Sequence, residues 1–213
     1  MISKRLQVIA SLIPPAKTIA DIGCDHGYVI KEAFEKYNIE KAIAIDNKEK
    51  PLLRAKANLS SSPYLKQIRF SKSSGLEDLR EKVDAIIIGG LGGILIEEIL
   101  KAGLKNHFQA KLILQANRNT ADLRRFLWNQ NYKLTSEKLV YEDGIYYEIM
   151  VAEKGEGKED YNENDFLFGP ILRKERSVLF LEKLKKDLHA WEAIPKKSKI
   201  VKERIEKIKE ELC

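Results

Sequence analysis

Eight consecutive residues, Asp21-Ile22-Gly23-Cys24-Asp25-His26-Gly27-Tyr28, bring together the types that could do chemistry. An apolar run over residues 19–24 ends in a glycine turn and opens a helix, the nucleotide-site layout of doubly wound sheets. Gly23 permits a sharp turn, and Gly27 a close approach of backbone to ligand or helix. A dinucleotide fingerprint puts glycine where Asp25 stands, so that a pyrophosphate can lie against the backbone. A carboxylate at that position repels phosphate. Asp21 and Asp25 instead favour a cation. A second apolar run ends on Asp46, 23 residues after Gly23, the usual place for an acid that accepts ribose hydroxyls. The chemistry predicted is recognition of a nucleoside that carries positive charge and no phosphate.

S-adenosylmethionine has that character, with a cationic sulfonium and an amino group. Cys24, Tyr28 and Asn47, beside the turn and the acid, join its predicted set. A second cluster, Gly89-Gly90-Leu91-Gly92-Gly93, follows the strongly apolar run 83–88. Glycines cost roughly 0.5–1 kcal/mol each where other residues could serve. Small residues here leave room for a planar base, with free N–H groups to bind it; a flexible turn is the plainer alternative. Methyltransferases acting on exocyclic amines usually carry Asn or Asp, two prolines and an aromatic at this place. Their absence fits a ring-nitrogen acceptor.

The elements that must position these loops alternate. A short helix over residues 3–13, capped by Ser3 and ended by Pro14-Pro15, is predicted to expose Lys4 and Arg5. Strands are predicted at 19–24, 41–46, 68–72, 83–88 and 111–115, and helices at 28–37, 48–60, 94–104 and 120–130, the last capped by Asn119. Two extended runs, 132–141 and 145–153, flank Asp143-Gly144, a hairpin signal. The fold class is therefore α/β: a Rossmann-like, doubly wound, seven-stranded sheet whose last strand is antiparallel, as in class I methyltransferases. Residues 1–154 form this domain and 155–164 a linker. Residues 165–213 form a C-terminal helical coiled-coil hairpin, with Val178, Leu181, Leu184, Leu188 and Trp191 facing Val201, Ile205, Ile208 and Leu212.

The net charge of +6 is concentrated in that tail. Residues 170–213 hold 13 basic and 8 acidic side chains, and the rest of the chain 25 and 24. Lys196, Lys197, Lys199 and Lys202 cluster after the break at Pro195. A polyanion partner and a merely solvated helix surface both fit this charge. Two cysteines far apart, and His26, His107 and His189 without ligand spacing, predict no metal. No membrane span or signal peptide is read, so a cytoplasmic monomer is expected.

Together these residues resemble the bacterial tRNA (adenine-22-N1)-methyltransferase family. The matching pieces are 21–28, Asp46, Gly75-Leu76, 88–93, 115–117 and Tyr146-Tyr147-Glu148. Three departures stand out. Ser74 occupies the place of an acid, Leu91 that of a methionine and Ala116 that of a proline. The resemblance implies methyl transfer from S-adenosylmethionine to N1 of an adenine in the D-arm of tRNA. It implies Ser74, Gly75, Leu76, Gly89 and Gly90 at the cofactor, and Leu91, Gly92, Gly93, Gln115 and Asn117 at the substrate. Lys4, Arg5 and the four tail lysines would meet tRNA. Asp25 is the candidate for stabilising the cationic product and His26 for orienting the base, although His26 also suits a helix start and Tyr28 either a base or the cofactor. A small-molecule methyltransferase and a non-catalytic RNA-binding protein with a vestigial fold are the alternatives. A dehydrogenase is disfavoured by Asp25 and the closing hairpin.

Overall fold

The computed structural model describes residues 2–106, 109–155 and 159–213. His107 and residues 156–158 of the expected linker lie outside them.

Helix α1 (Lys4–Ser11) starts where the Ser3 hydroxyl accepts a bond from the Leu6 N–H. Then β1 (Thr18–Ile22), α2 (Tyr28–Tyr37), β2 (Lys41–Asp46), α3 (Glu49–Leu59), β3 (Ile68–Lys72), β4 (Ala85–Leu91), α4 (Gly93–Gly103), β5 (Lys111–Ala116) and α5 (Thr120–Asn129) alternate. The long strands β6 (Tyr132–Glu142) and β7 (Ile145–Lys154) close the sheet. Its order is β3-β2-β1-β4-β5-β7-β6, with β7 antiparallel to both neighbours. The order reverses between β1 and β4, so their carboxyl ends open the crevice where such sheets bind ligands. Asp143 and Gly144 both take positive φ, 49° and 80°, which a two-residue hairpin turn requires.

Apolar strands such as Ile86-Ile87-Ile88 are buried on both faces, one under α1 to α3 and the other under α4 and α5. β4 runs three residues further than expected, into the glycine cluster. Asn119 takes the N-cap position of α5, as expected, but at φ 61° its side chain makes no cap bond and donates to Asp122 instead.

The tail holds four helices: α6 (Glu163–Phe168), α7 (Pro170–Glu175), α8 (Val178–Glu192) and α9 (Lys199–Leu212). α9 returns along α8, and its Glu211 reaches Arg173 and Arg176 beside the start of α8. Phe168, Leu172, Phe180, Leu184 and Ile208 form the core of this unit. Val178, expected in the stripe, is 74% exposed, and Phe180 fills the buried place.

A buried charge network joins tail to sheet. Arg124 of α5 bonds Glu137 of β6 at 2.8 Å, Glu148 of β7 at 2.6 Å and the Phe166 carbonyl at 3.1 Å. Lys183 of α8 reaches Glu148 at 3.2 Å, and Glu137 accepts from the Ile171 N–H at 2.9 Å. Burial opposes ionisation of Glu148, yet Arg124 and Lys183 hold its carboxyl below the usual range.

Candidate active site

A cleft of about 690 Å³ lies over the carboxyl ends of β1, β2 and β4, with α1 as one wall. Of the predicted residues, Asp21, Gly23, Cys24, Asp25, His26, Tyr28, Asp46, Asn47, Gly89, Gly90, Leu91 and Arg5 line it. Gly23 turns at φ 75° while its N–H donates to the Ile45 carbonyl. Gly27 starts α2 at φ 70°, and a Cβ there would stand 2.7 Å from Leu59. Both glycines are needed for the path of the loop.

Asp21 is 5% exposed, and no basic side chain pairs with it among the described residues. Burial, and then the charge of Asp46, push its carboxyl from 3.8 up to about 7. That amounts to roughly 4 kcal/mol against ionisation. A cation placed beside Asp21 would restore its charge, so the site suits the sulfonium and amino group of S-adenosylmethionine. Asp46, at the end of β2, takes the Lys48 N–H on one oxygen and faces the same cleft. Burial pushes the Cys24 thiol far above its ordinary value and leaves it neutral.

Asp25 takes φ 33° and is gripped by Arg54 at 2.5 Å. Its second oxygen lies 3.7 Å from His26 Nε2. Asn58 Nδ2 donates to the His26 carbonyl and stands 3.2 Å from Nδ1, which puts the proton of the neutral ring on Nε2, toward Asp25. The Tyr28 ring stacks on His26, with centroids 5.4 Å apart.

On the acceptor side, three hydrogen bonds form a ring. The Gly90 N–H donates to Gln115 Oε1 at 3.0 Å, Gln115 Nε2 to Asn117 Oδ1 at 3.0 Å, and Asn117 Nδ2 to the Gly90 carbonyl at 2.7 Å. They fix Gly90 at φ 78°, where β4 slips register against β5. The expectation of free glycine N–H groups is corrected here: that of Gly90 is taken by Gln115, and that of Gly93 by the Arg118 carbonyl. Gly92 is the N-cap of α4, and a Cβ on Gly93 would stand 2.5 Å from the Asn119 carbonyl, so these glycines serve close packing.

Arg5 also departs from expectation. It is half-buried, and its guanidinium turns into the cleft: Nη1 donates to Gln115 Oε1 at 2.5 Å and Cζ lies 5.0 Å from the Tyr147 ring centre. Lys4 is exposed. Ser73 bonds its N–H to the Asp46 carbonyl, which brings the 74–76 loop beside β2. Ser74 is exposed there, Gly75 packs on Ile99, and Leu76 is wholly buried. Lys196 and Lys197 are exposed in the turn between α8 and α9, and Lys199 and Lys202 are exposed at the start of α9.

Sequence reasoning missed Lys48, Pro51 and Arg54, which line the cleft from one face of α3. Their spacing of three residues after Asp46 was the available signal. It also missed Leu6 and Ile9, which with Ser3 form the α1 wall at the same spacing. Among the described residues, no group of three His, Cys, Asp or Glu is arranged to hold a metal, and no helix is long and apolar enough to cross a membrane.

Comparison with known proteins gives four consistent likenesses. Residues 19–213 match the family model described as tRNA (adenine(22)-N(1))-methyltransferase. The chain is 37% identical over 199 residues to the Bacillus subtilis (strain 168) protein of that name, spanning 91% of this chain and 84% of the relative. It superposes with a TM-score of 0.94 on a Streptococcus pneumoniae protein in complex with S-adenosyl-L-methionine, at 34% identity and full coverage of both chains. An M. capricolum protein in complex with S-adenosyl-homocysteine gives 0.89, at 28% identity and with 100% and 98% covered.

Proposed function

The chain belongs to the tRNA (adenine(22)-N(1))-methyltransferase family, and from that premise we propose how its own residues divide the work. The reaction is transfer of a methyl group from S-adenosylmethionine to N1 of adenine 22 in the D-arm of tRNA, giving 1-methyladenosine. One observation carries the residue-level reading: the acidic loop of β1 and the glycine turn of β4 open onto a single cleft.

Asp21, Gly23, Cys24, Gly27, Tyr28, Asp46 and Asn47 hold the cofactor, with the 74–76 loop and Gly89-Gly90 beside it. The cofactor supplies an activated methyl group for in-line displacement. Adenine N1 has a free lone pair near neutral pH, so no proton must leave before attack, and positioning supplies most of the acceleration. The 90–93 turn receives the base, with Gln115 and Asn117 shaping that turn. Asp25 faces the cationic product, sharing its charge with Arg54, and the Nε2 proton of His26, which at 3.7 Å is not bonded to Asp25, orients the base. Asp25→Asn is expected to lower kcat by roughly tenfold to a hundredfold while leaving cofactor affinity within about threefold. Equal kcat in a stopped-flow or quench assay would contradict that role.

The tail supplies RNA contacts. β7 begins beyond the carboxyl end of β5, since Gln115 pairs with Ile149 four residues into the strand. Lys183 lies at Glu148 and Lys186 at the Gly144 carbonyl, so α8 runs outward along the hairpin on the cleft side. The four exposed lysines continue in that direction. Replacing them with alanine should reduce the salt slope of tRNA binding by about one for each phosphate they neutralise. An unchanged slope would refute their role. We propose further that one chain, in the cytoplasm, suffices for the reaction, because cleft and lysines lie on one protomer. Incubation with S-adenosylmethionine and unmodified tRNA, followed by nucleoside mass spectrometry, should yield 1-methyladenosine. Its absence would overturn the assignment.

A further inference from the structure

We infer that Arg5 is an oxyanion receptor built into the acceptor side of the cleft. The inference rests on the methyl-transfer reading and names a ligand group that the reading leaves unassigned.

The guanidinium is held on several sides. Its backbone is anchored where Glu142 accepts the Lys4 N–H at 2.5 Å and the Arg5 N–H at 3.4 Å, tying α1 to the end of β6. Its Cζ lies over the Tyr147 ring, and Nη1 is held by Gln115. Gly90 lies beside it: a Cβ there would stand 3.6 Å from Nη1, in ordinary contact, and it is the φ of 78° that calls for glycine. A guanidinium has five N–H donors in a planar fork, and this one spends one of them on the protein.

The charge is also uncompensated. Arg54, Arg69, Arg124, Arg125 and Arg173 each pair with a carboxylate, whereas no acid pairs with the Arg5 guanidinium among the described residues. Its partner is a neutral amide at the very place where glutamate would neutralise it. Gln115 is wholly buried, and both ends of its amide are engaged. A fixed, half-buried guanidinium without a carboxylate fits a bidentate oxyanion from a ligand. Two sources share that chemistry, the α-carboxylate of the cofactor and a phosphate flanking the target adenine.

The test uses the full chain carrying Arg5→Gln and Arg5→Lys. Calorimetry measures binding of S-adenosylmethionine and of its decarboxylated form, and initial rates give KM for tRNA. A cofactor carboxylate predicts that Arg5→Gln weakens S-adenosylmethionine binding by about tenfold or more but leaves the decarboxylated form unaffected. A phosphate predicts unchanged cofactor binding and a tRNA KM raised by about tenfold or more. Arg5→Lys keeps the charge but loses the fork, and should show a smaller loss in the same parameter. Cofactor affinity and tRNA KM both within twofold of the parent would overturn the inference. Should Arg5→Gln lower the melting temperature, Arg5→Lys against the parent decides between the same outcomes. A parent chain that forms no 1-methyladenosine would overturn the functional reading instead, and the calorimetric arm would still judge Arg5.

Discussion

Asp21 in the cleft and Glu148 beneath the tail are both buried acids, 5% and 7% exposed, but their surroundings differ. Glu148 is met by Arg124 and Lys183, which hold it ionised. Asp21 is met by no cation among the described residues, and Asp46 beside it adds a repelling charge. A protein that buries an acid for architecture satisfies it internally. One that leaves an acid unpaired at the floor of a cleft keeps its counter-ion for a ligand. The same contrast separates Arg124, fully engaged, from Arg5.

The contrast predicts mutational effects of opposite sign. Arg124→Ala strips Glu137 and Glu148 of their buried partner and should cost about 3–5 kcal/mol in denaturant unfolding. A loss below about 1 kcal/mol would mean that the junction is not a structural unit. Asp21→Asn should instead raise stability at pH 8, by up to roughly 4 kcal/mol, because it removes an acid that resists ionisation there. The same change should weaken S-adenosylmethionine binding.

The pH dependence follows from the same two groups. Asp21 binds its proton more tightly folded than unfolded. Its contribution is therefore full below pH 3.8, declines as pH rises toward about 7, and is flat above. Glu148 has the reverse sign: its contribution is present above its unfolded value and fades as pH falls. Comparing wild type with Asp21→Asn across pH 5–8 isolates the first slope. Parallel stability curves for the two proteins would contradict it.

Gly169 tests the junction at smaller scale. It takes φ 91°, and a Cβ there would stand 2.6 Å from Glu137 Oε1 and 2.7 Å from Arg124 Nη2. Gly169→Ala should cost roughly 2 kcal/mol, through backbone strain and displaced ion pairs, with no change in cofactor affinity. At the small end, Val178→Glu should change stability by less than about 0.5 kcal/mol, since Val178 is exposed. A large loss would return Val178 to the helical core.

The cleft was more legible in the sequence than the junction, for physical reasons. Residues 21–28 and Asp46 are tied to strand ends, where apolar runs and glycines mark positions by themselves. Strands Lys41–Asp46 and Ile68–Lys72 matched residue for residue: the first is a short apolar run with clear ends, and the second alternates apolar Ile68 and Phe70 with polar Arg69 and Ser71. Arg5 was misplaced because Lys4 and Arg5 are adjacent on a helix of eight residues, where the apolar face is only loosely defined. Arg124 and Glu137 drew no reading from the sequence, and Glu148 only one as part of a family motif, because their pairing spans three elements. α6 and α7, six residues each, are too short to show a helical period. The junction also bears on tests of the tail. Deleting residues 165–213 would remove Lys183 and the backbone groups that satisfy Arg124 and Glu137, so lysine replacement at the tip is the cleaner probe of RNA binding.

The most direct test of the account is proton release on cofactor binding. Calorimetry of S-adenosylmethionine binding at pH 6, in two buffers of different ionisation enthalpy, counts the protons exchanged. With Asp21 near 7 before binding and ionised beside the cation, binding should release close to one proton, and Asp21→Asn should release almost none. No net release from the wild type, or equal release and equal affinity in Asp21→Asn, would contradict the claim that Asp21 keeps its charge for the cofactor.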